Sequence, residues 1–163
     1  PTELQVQLLL MINKAFTLIE LLVVVAIIGI LAAVGVVAYN GYTGAAKVNA
    51  TKSIHSSVIK YITAELMKCE LGESTIFNNG EYGPLSCTGL TAINVRDRIG
   101  DNGKIFNDKN PYDTANFAVK IGQTYTVGQI TILAPRSKRL HFYTCTKPGC
   151  AAADKMSVEI MID

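Results

Sequence analysis

The strongest constraint on this chain is an uncharged apolar run from Leu21 to Ala38, which follows a single carboxylate at Glu20. About 20 apolar residues in a helix cross the hydrocarbon core of a bilayer, so the run predicts a membrane-spanning helix. A plain membrane anchor explains the length of the run but not the acid, because a carboxylate inside or at the edge of a span costs about 2–3 kcal/mol. Glu20 is therefore a candidate functional residue.

The residues on both sides of this acid carry a family resemblance. The match is specific in Phe16 to Val34, FTLIELLVVVAIIGILAAV, which closely resembles the N-terminus of type IV pilins and type II secretion pseudopilins. In that family a prepilin peptidase cuts before the phenylalanine, and the new amino terminus is N-methylated. The resemblance implies a cut between Ala15 and Phe16. It also implies an assembly role for Glu20, which would neutralise the Phe16 ammonium of an incoming or neighbouring subunit.

The chain departs from the family pattern at two positions. The residue before the cut is usually glycine and is Ala15 here, and many pilins have a proline at the position of Val37. Small residues recur inside the run, and we assign them to helix packing because they let helices approach closely. They are Gly29, Ala32, Ala33 and Gly35. Glycine and alanine are also common in membrane helices generally. We expect a straight helix in the monomer that loosens between Gly29 and Val37 in the polymer.

The resemblance divides the chain into three parts. Residues 1–15 form a leader, 16–38 a transmembrane and filament-core helix, and 39–163 a globular domain that includes the amphipathic half of the helix. Residues 1–10 are interpreted as not native, because Met11 to Ala15 has the form of a short basic leader; a longer true leader is the alternative. Lys14 precedes the span, which predicts a cytoplasmic N-terminus.

Beyond the run, the pattern predicts an α+β fold. One helix is expected from Phe16 to about Cys69, with a stop at Gly72. Its apolar stripe recurs every four residues; the members are Ala46, Ala50, Ile54, Val58, Ile62 and Leu66. Loops and a short helix near Thr91 to Ile99 come next. Four β-rich stretches follow, at 116–121, 125–133, 140–145 and 156–162. The predicted fold is the type IV pilin fold, a long N-terminal helix packed on a three- to four-stranded antiparallel sheet.

The cysteines all follow the membrane run and allow three pairings. Because a membrane export element lies upstream, disulfides are favoured over a metal site. We predict that sequence neighbours pair, Cys69 with Cys87 and Cys145 with Cys150. The same cysteines favour a pilin over a pseudopilin, because pseudopilins more often rely on bound calcium.

The sequence shows no catalytic constellation, so we expect no enzyme activity and no cofactor. His55 and His141 have no nucleophile–base partner or metal-ligand spacing and are interpreted as surface or half-buried residues. Turn formation explains the acids and amides between 101 and 113 better than calcium does. A net charge of +2 does not indicate a polyanion partner. Nucleic acid is only a weak expectation, from a basic turn at Arg136, Lys138 and Arg139.

The resemblance implies that the chain is a structural subunit of a type IV pilus, acting in adhesion, motility or DNA uptake. Its expected partners are other copies of itself in a helical homopolymer, the prepilin peptidase and N-methyltransferase, the assembly platform and the inner membrane. A pseudopilin or minor pilin is one alternative. A membrane-anchored adhesin or DNA-binding module is the other.

Overall fold

The computed structural model describes residues 16–78, 83–100 and 105–162. The chain divides into two compact units, with the boundary between Thr43 and Gly44. The predicted leader lies outside the described residues, as does Asp101 of the calcium alternative.

Helix α1 runs from Leu18 to Glu70, close to the predicted bounds. It ends where Gly72 adopts φ +93°, a conformation that glycine takes at little cost. The Glu73 N–H donates to the Lys68 carbonyl (3.0 Å) and the Gly72 N–H to the Cys69 carbonyl (3.1 Å). These two bonds form a Schellman cap, which satisfies carbonyls that the last turn leaves open and explains the predicted stop.

The described part of the first unit, residues 16–43, is helical from Leu18 onward. Its large apolar side chains are exposed, and the helix continues without a break through Gly29 and Val37. By length and composition α1 could cross a membrane, since its most apolar 18-residue window has a mean hydropathy of 3.1 and none of that window is buried.

In the second unit, α1 buries one face. Its buried residues there are Thr51, His55, Val58, Ile62, Glu65 and Leu66. The predicted stripe is correct from Val58 to Leu66 but wrong at its start, because Ala46 is exposed and Ala50 only half-buried. The buried face of α1 begins instead with two polar residues, Thr51 and His55. His55 is buried there because its ring contacts the hydroxyl of Thr144 on the sheet.

The main sheet has four strands, in the order β5 (Val119–Ile121), β6 (Ile130–Arg136), β7 (Arg139–Cys145) and β8 (Lys155–Met161). Strands β6, β7 and β8 form the predicted antiparallel meander. The structure differs from the predicted antiparallel sheet at β5, which pairs parallel to β6. Because β5 has only three residues, the chain between Ile121 and Ile130 is long enough to return to the same end of the sheet.

Two predicted boundaries are wrong. The stretch 116–121 is divided between β4 (Asp113–Phe117) and β5, and the stretch 125–133 becomes a strand only at Ile130. In the basic turn, only Ser137 and Lys138 lie outside the strands, because β6 continues to Arg136 and β7 begins at Arg139. The β6–β7 register shifts between Leu133 and Arg136. Pro135 is accommodated at this irregularity, where a missing N–H does not interrupt a regular ladder.

The remaining elements are short. Strands β1 (Thr75–Ile76) and β2 (Leu85–Ser86) pair antiparallel, as do β3 (Lys109–Asn110) and β4. Helix α2 (Ala92–Ile99) confirms the predicted short helix; the Thr91 hydroxyl caps it by accepting the Asn94 N–H at 3.2 Å. A 3-10 helix, Ala152–Asp154, precedes β8.

A single hydrophobic core joins these elements within the second unit. Its buried members come from α1, α2, the main sheet, β1 with the residue after it, and the residue after β8; they are Val58, Ile62, Leu66, Ile76, Phe77, Ala92, Val95, Ile99, Val119, Ile130, Ile132, Leu140, Phe142 and Ile162. Phe77 adopts φ +55°, which is unfavourable for a residue with a bulky side chain. Its N–H donates to Oε2 of the buried Glu65 at 2.7 Å, so a carboxylate of α1 holds this loop.

Candidate processing and assembly site

The start of α1 is a reciprocal hydrogen-bonded cap. The Thr17 N–H and the Thr17 hydroxyl both donate to Oε2 of Glu20, at 2.8 and 2.7 Å. In return, the Glu20 N–H lies 3.3 Å from the Thr17 hydroxyl oxygen, which accepts it. Thr17 precedes the first helical residue, Leu18, so the pair is a capping box. Two N–H groups that the first turn would leave open are thereby satisfied.

This local role for Glu20 was missed by the sequence analysis, although the signal was present. Threonine followed three residues later by glutamate, before an apolar run, is the pattern of a capping box. Both side-chain bonds use Oε2, and Oε1 accepts no hydrogen bond from the described residues. Glu20 is exposed, so one of its oxygens is held and the other is accessible.

The structure describes only one of the two residues at the predicted cleavage site, because Ala15 lies outside the described residues. Phe16 is described and is not helical, with 85% of its surface exposed. It directly precedes the capping box. The proposed new amino terminus and Glu20 therefore lie within one short segment, Phe16 to Glu20, at the start of the helix.

The predicted packing residues lie on the exposed apolar surface of α1. Gly29, Ala32 and Ala33 have i, i+3, i+4 spacing and share one face; Gly35 follows three residues after Ala32. Apart from the backbone of the helix itself, no described atom lies within 4 Å of the position that a Cβ would take on Gly29 or Gly35. The described contacts therefore do not require glycine at either position. An exposed apolar surface of this extent is typical of a membrane or protein contact.

The structure joins both predicted cysteine pairs. Cys69, in the last turn of α1, is bonded to Cys87, which follows β2, and Cys145 at the end of β7 is bonded to Cys150. The first bond ties the helix end to the loop that contains β1 and β2. The second closes a short loop, where Gly149 and Cys150 both have positive φ, +86° and +48°.

The other candidates take structural positions. His55 is buried, with 3% exposed, so its interpretation as a surface or half-buried residue was wrong; its Nδ1 lies 2.8 Å from the Thr144 hydroxyl. Asn110, one of the calcium candidates, is buried and donates to the Val127 carbonyl at 2.9 Å. Within the described ranges no group of three or more histidine, cysteine or acidic residues is placed to hold a metal ion. In the basic turn, Arg139 pairs with Glu159 at 3.1 Å.

Comparison with known proteins agrees with this geometry. Residues 10–36 match the family model of the prokaryotic N-terminal methylation motif. A "Fimbrial protein" of Neisseria meningitidis serogroup A is 58% identical over 107 residues, which cover 66% of this chain and 56% of that protein. A "Type IV major pilin protein PilE1" of Neisseria gonorrhoeae is 58% identical over 38 residues, 23% of each chain.

The chain thus spans about half the length of the first of these relatives and about a quarter of the second. No solved structure matches it. In its methylation motif, in its identity to the neisserial proteins and in its α+β fold with a long N-terminal helix, the chain is similar to type IV pilins.

Proposed function

We propose that this chain is a structural subunit of a type IV pilus filament. It is cleaved between Ala15 and Phe16, waits in the inner membrane with its N-terminus in the cytoplasm, and polymerises through α1 into an extracellular filament. The observation that carries the proposal is the fully exposed apolar half of α1, which begins at a capped carboxylate. The methylation motif and the similarity to a neisserial fimbrial protein support it independently.

The exposed apolar surface needs a partner, and two environments suit it. In lipid, every backbone polar group of the helix is already satisfied, so a single helix is stable there. In a filament core the same side chains would pack against other subunits. Transfer from lipid to filament replaces one apolar environment by another, so little apolar surface meets water during assembly.

Glu20 supplies the specific contact in this proposal. Cleavage would create an ammonium group on Phe16, and a neighbouring subunit could bring that charge to the Glu20 carboxylate. Opposite unit charges about 4 Å apart attract by about 4 kcal/mol at an effective dielectric constant near 20. The capping box holds Oε2 through Thr17, so the orientation of the carboxylate is fixed while Oε1 is accessible. The pairing would set the axial register of each incoming subunit.

The small residues support close packing in the polymer. The face formed by Gly29, Ala32 and Ala33 lets helix backbones approach each other, and packing replaces the hydrophobic effect as the associating force in an apolar environment. Gly29 and Gly35 each cost about 1 kcal/mol of helix propensity relative to alanine. They would make the segment up to Val37 the part of the helix that loosens on assembly.

The test separates the assembly role of Glu20 from its capping role. Glu20→Ala removes both, whereas Thr17→Ala removes only the two hydrogen bonds of the Thr17 hydroxyl and keeps the carboxylate. We expect sheared surface filaments, viewed by electron microscopy, to disappear in Glu20→Ala and to persist in Thr17→Ala at equal cellular protein levels. Normal filaments in Glu20→Ala would refute the assembly role, and loss of filaments in Thr17→Ala as well would show that the hydroxyl bonds of the cap are themselves needed for assembly.

Processing is tested by mass spectrometry of the isolated native protein. We expect a polypeptide that begins at Phe16 and carries one additional methyl group on its amino terminus. A native protein that still carries Lys14 and Ala15, and is never found in a polymer, would overturn the proposal.

A further inference from the structure

The solvent-facing side of the sheet holds a histidine and a carboxylate on neighbouring strands. His141 of β7 pairs directly with Glu159 of β8, so the two side chains leave the same face of the sheet. The distance from Nε2 of His141 to Oε2 of Glu159 is 3.4 Å. The two residues are far apart in the sequence, so only the strand register brings them together.

This separation fits two ligands of one small cation. Zinc binds imidazole nitrogen and carboxylate oxygen at about 2.0–2.2 Å, nearly always with tetrahedral geometry. Two ligand atoms at the corners of such a tetrahedron are about 3.3–3.4 Å apart. The distance between Nε2 and Oε2 therefore already matches the coordinated arrangement.

Both side chains are also oriented by neighbours on the same face. Nδ1 of His141 lies 2.9 Å from the Tyr143 hydroxyl. When Nδ1 carries the ring proton and donates it to that oxygen, Nε2 presents a lone pair. Among the described residues Nε2 has no hydrogen-bond partner, although it is buried. On the other side, Arg139 contacts Oε1 of Glu159 at 3.1 Å, which leaves Oε2 directed at the histidine.

The surroundings leave room for an ion. A surface depression of about 360 Å³ is lined by His141, Tyr143, Ser157, Val158 and Glu159. It is open to solvent, so water can complete the coordination of an ion bound by two side chains. A mixed imidazole and carboxylate pair suits zinc and copper better than calcium or magnesium, which prefer oxygen ligands.

We propose that His141 and Glu159 form a binding site for a divalent transition-metal cation of the zinc class. Tyr143 and Arg139 are positioning residues, and water fills the remaining coordination positions. The site is separate from the N-terminal assembly determinants and does not depend on the proposed function. A plain cross-strand ion pair is the competing explanation, and it predicts no metal binding.

The test uses the full chain in detergent micelles, without a polyhistidine tag, titrated with zinc chloride at neutral pH. The chain has only two histidines, so the ring proton resonances of His141 and His55 can be followed separately by NMR. We expect a saturable change at His141 and none at the buried His55. Magnesium at the same concentration should change neither.

Variants identify the ligands. We expect His141→Gln to abolish the saturable binding measured by calorimetry, and Glu159→Gln to weaken it by about tenfold or more. Tyr143→Phe should weaken it by about tenfold while the ligands remain in place. Glu73→Gln alters an exposed carboxylate elsewhere and should have no effect. Circular dichroism confirms that each variant is folded.

Two results would overturn the site. The first is the absence of any saturable change at His141 up to millimolar zinc. The second is equal binding by the wild type, His141→Gln and Glu159→Gln, which would mean adventitious binding elsewhere on the chain.

Discussion

The buried imidazole of His55 should make the second unit less stable in mild acid. His55 lies on α1 with 3% of its surface exposed, and its Nδ1 lies 2.8 Å from the Thr144 hydroxyl. Its Nε2 has no hydrogen-bond partner among the described residues. Burial lowers the pKa of this imidazole below its ordinary value of 6.5, because the charged form loses solvation.

The direction of the pH effect on stability follows from the number of protons that the folded and unfolded states bind. Because burial lowers its pKa, His55 takes up a proton at a lower pH in the folded state than in the unfolded chain. The unfolded state then binds more protons, so the free energy of unfolding decreases as the pH decreases. One group contributes at most about 1.4 kcal/mol per pH unit, over the interval between its unfolded-state and folded-state pKa. The loss ends when the pH reaches the folded-state pKa.

Urea unfolding followed by circular dichroism measures this slope. The assay uses a fragment of the chain that begins at Gly44. This fragment contains every residue of the hydrophobic core and both disulfides. His55→Gln should remove the contribution of this imidazole while keeping a side chain of similar length. His141→Gln is the matched control and should leave that contribution intact. An identical pH dependence in the wild type and His55→Gln would refute the reasoning.

Three further variants test the second unit by the same urea unfolding assay. Glu65→Ala leaves the buried N–H of Phe77 without its acceptor and should cost about 1–3 kcal/mol. Gly128→Ala should cost more than about 3 kcal/mol, because φ is +76° and a Cβ would lie 2.0 Å from a buried amide oxygen. Replacing Cys69 and Cys87 together by serine opens a loop of 18 residues and should cost about 3 kcal/mol.

Each of these changes has a control in the chain. Glu70→Ala removes an exposed carboxylate from the same helix end and should change stability little. Gly149→Ala meets a positive φ of +86° with no atom within 4 Å, so it isolates backbone strain from the clash at Gly128. The Cys145–Cys150 bond closes only 5 residues, and its removal should cost less. If a variant and its control lost the same free energy of unfolding, the cause proposed for that variant would be contradicted.

Local signals predicted the long helix and its end well. An apolar run and a glycine two residues beyond the last helical residue act through neighbouring residues, so Gly72 could be read as the stop. The strands β7 and β8 were also close to prediction, because their residues alternate between core and solvent. The capping box was equally local, and Thr17 with Glu20 could have been recognised from spacing alone.

Features that depend on distant residues could not be predicted. The burial of His55 depends on Thr144, which is 89 residues away, and nothing near His55 in the sequence indicates it. The parallel pairing of β5 depends on the return path of the chain after Ile121. The pairing of His141 with Glu159 depends on the register of two strands. Each of these is a consequence of tertiary packing.

The position of the hydrophobic core in the sequence affects which substitutions the chain can accept. Among the described residues, the first hydrophobic residue that packs in the core is Ile54, well after the methylation motif ends at residue 36. The described part of the motif, residues 16–36, therefore contributes no side chain to this core. Selection can therefore act on the two segments separately. It acts on the motif through the formation of a polymer, and on the core through the folding of the subunit.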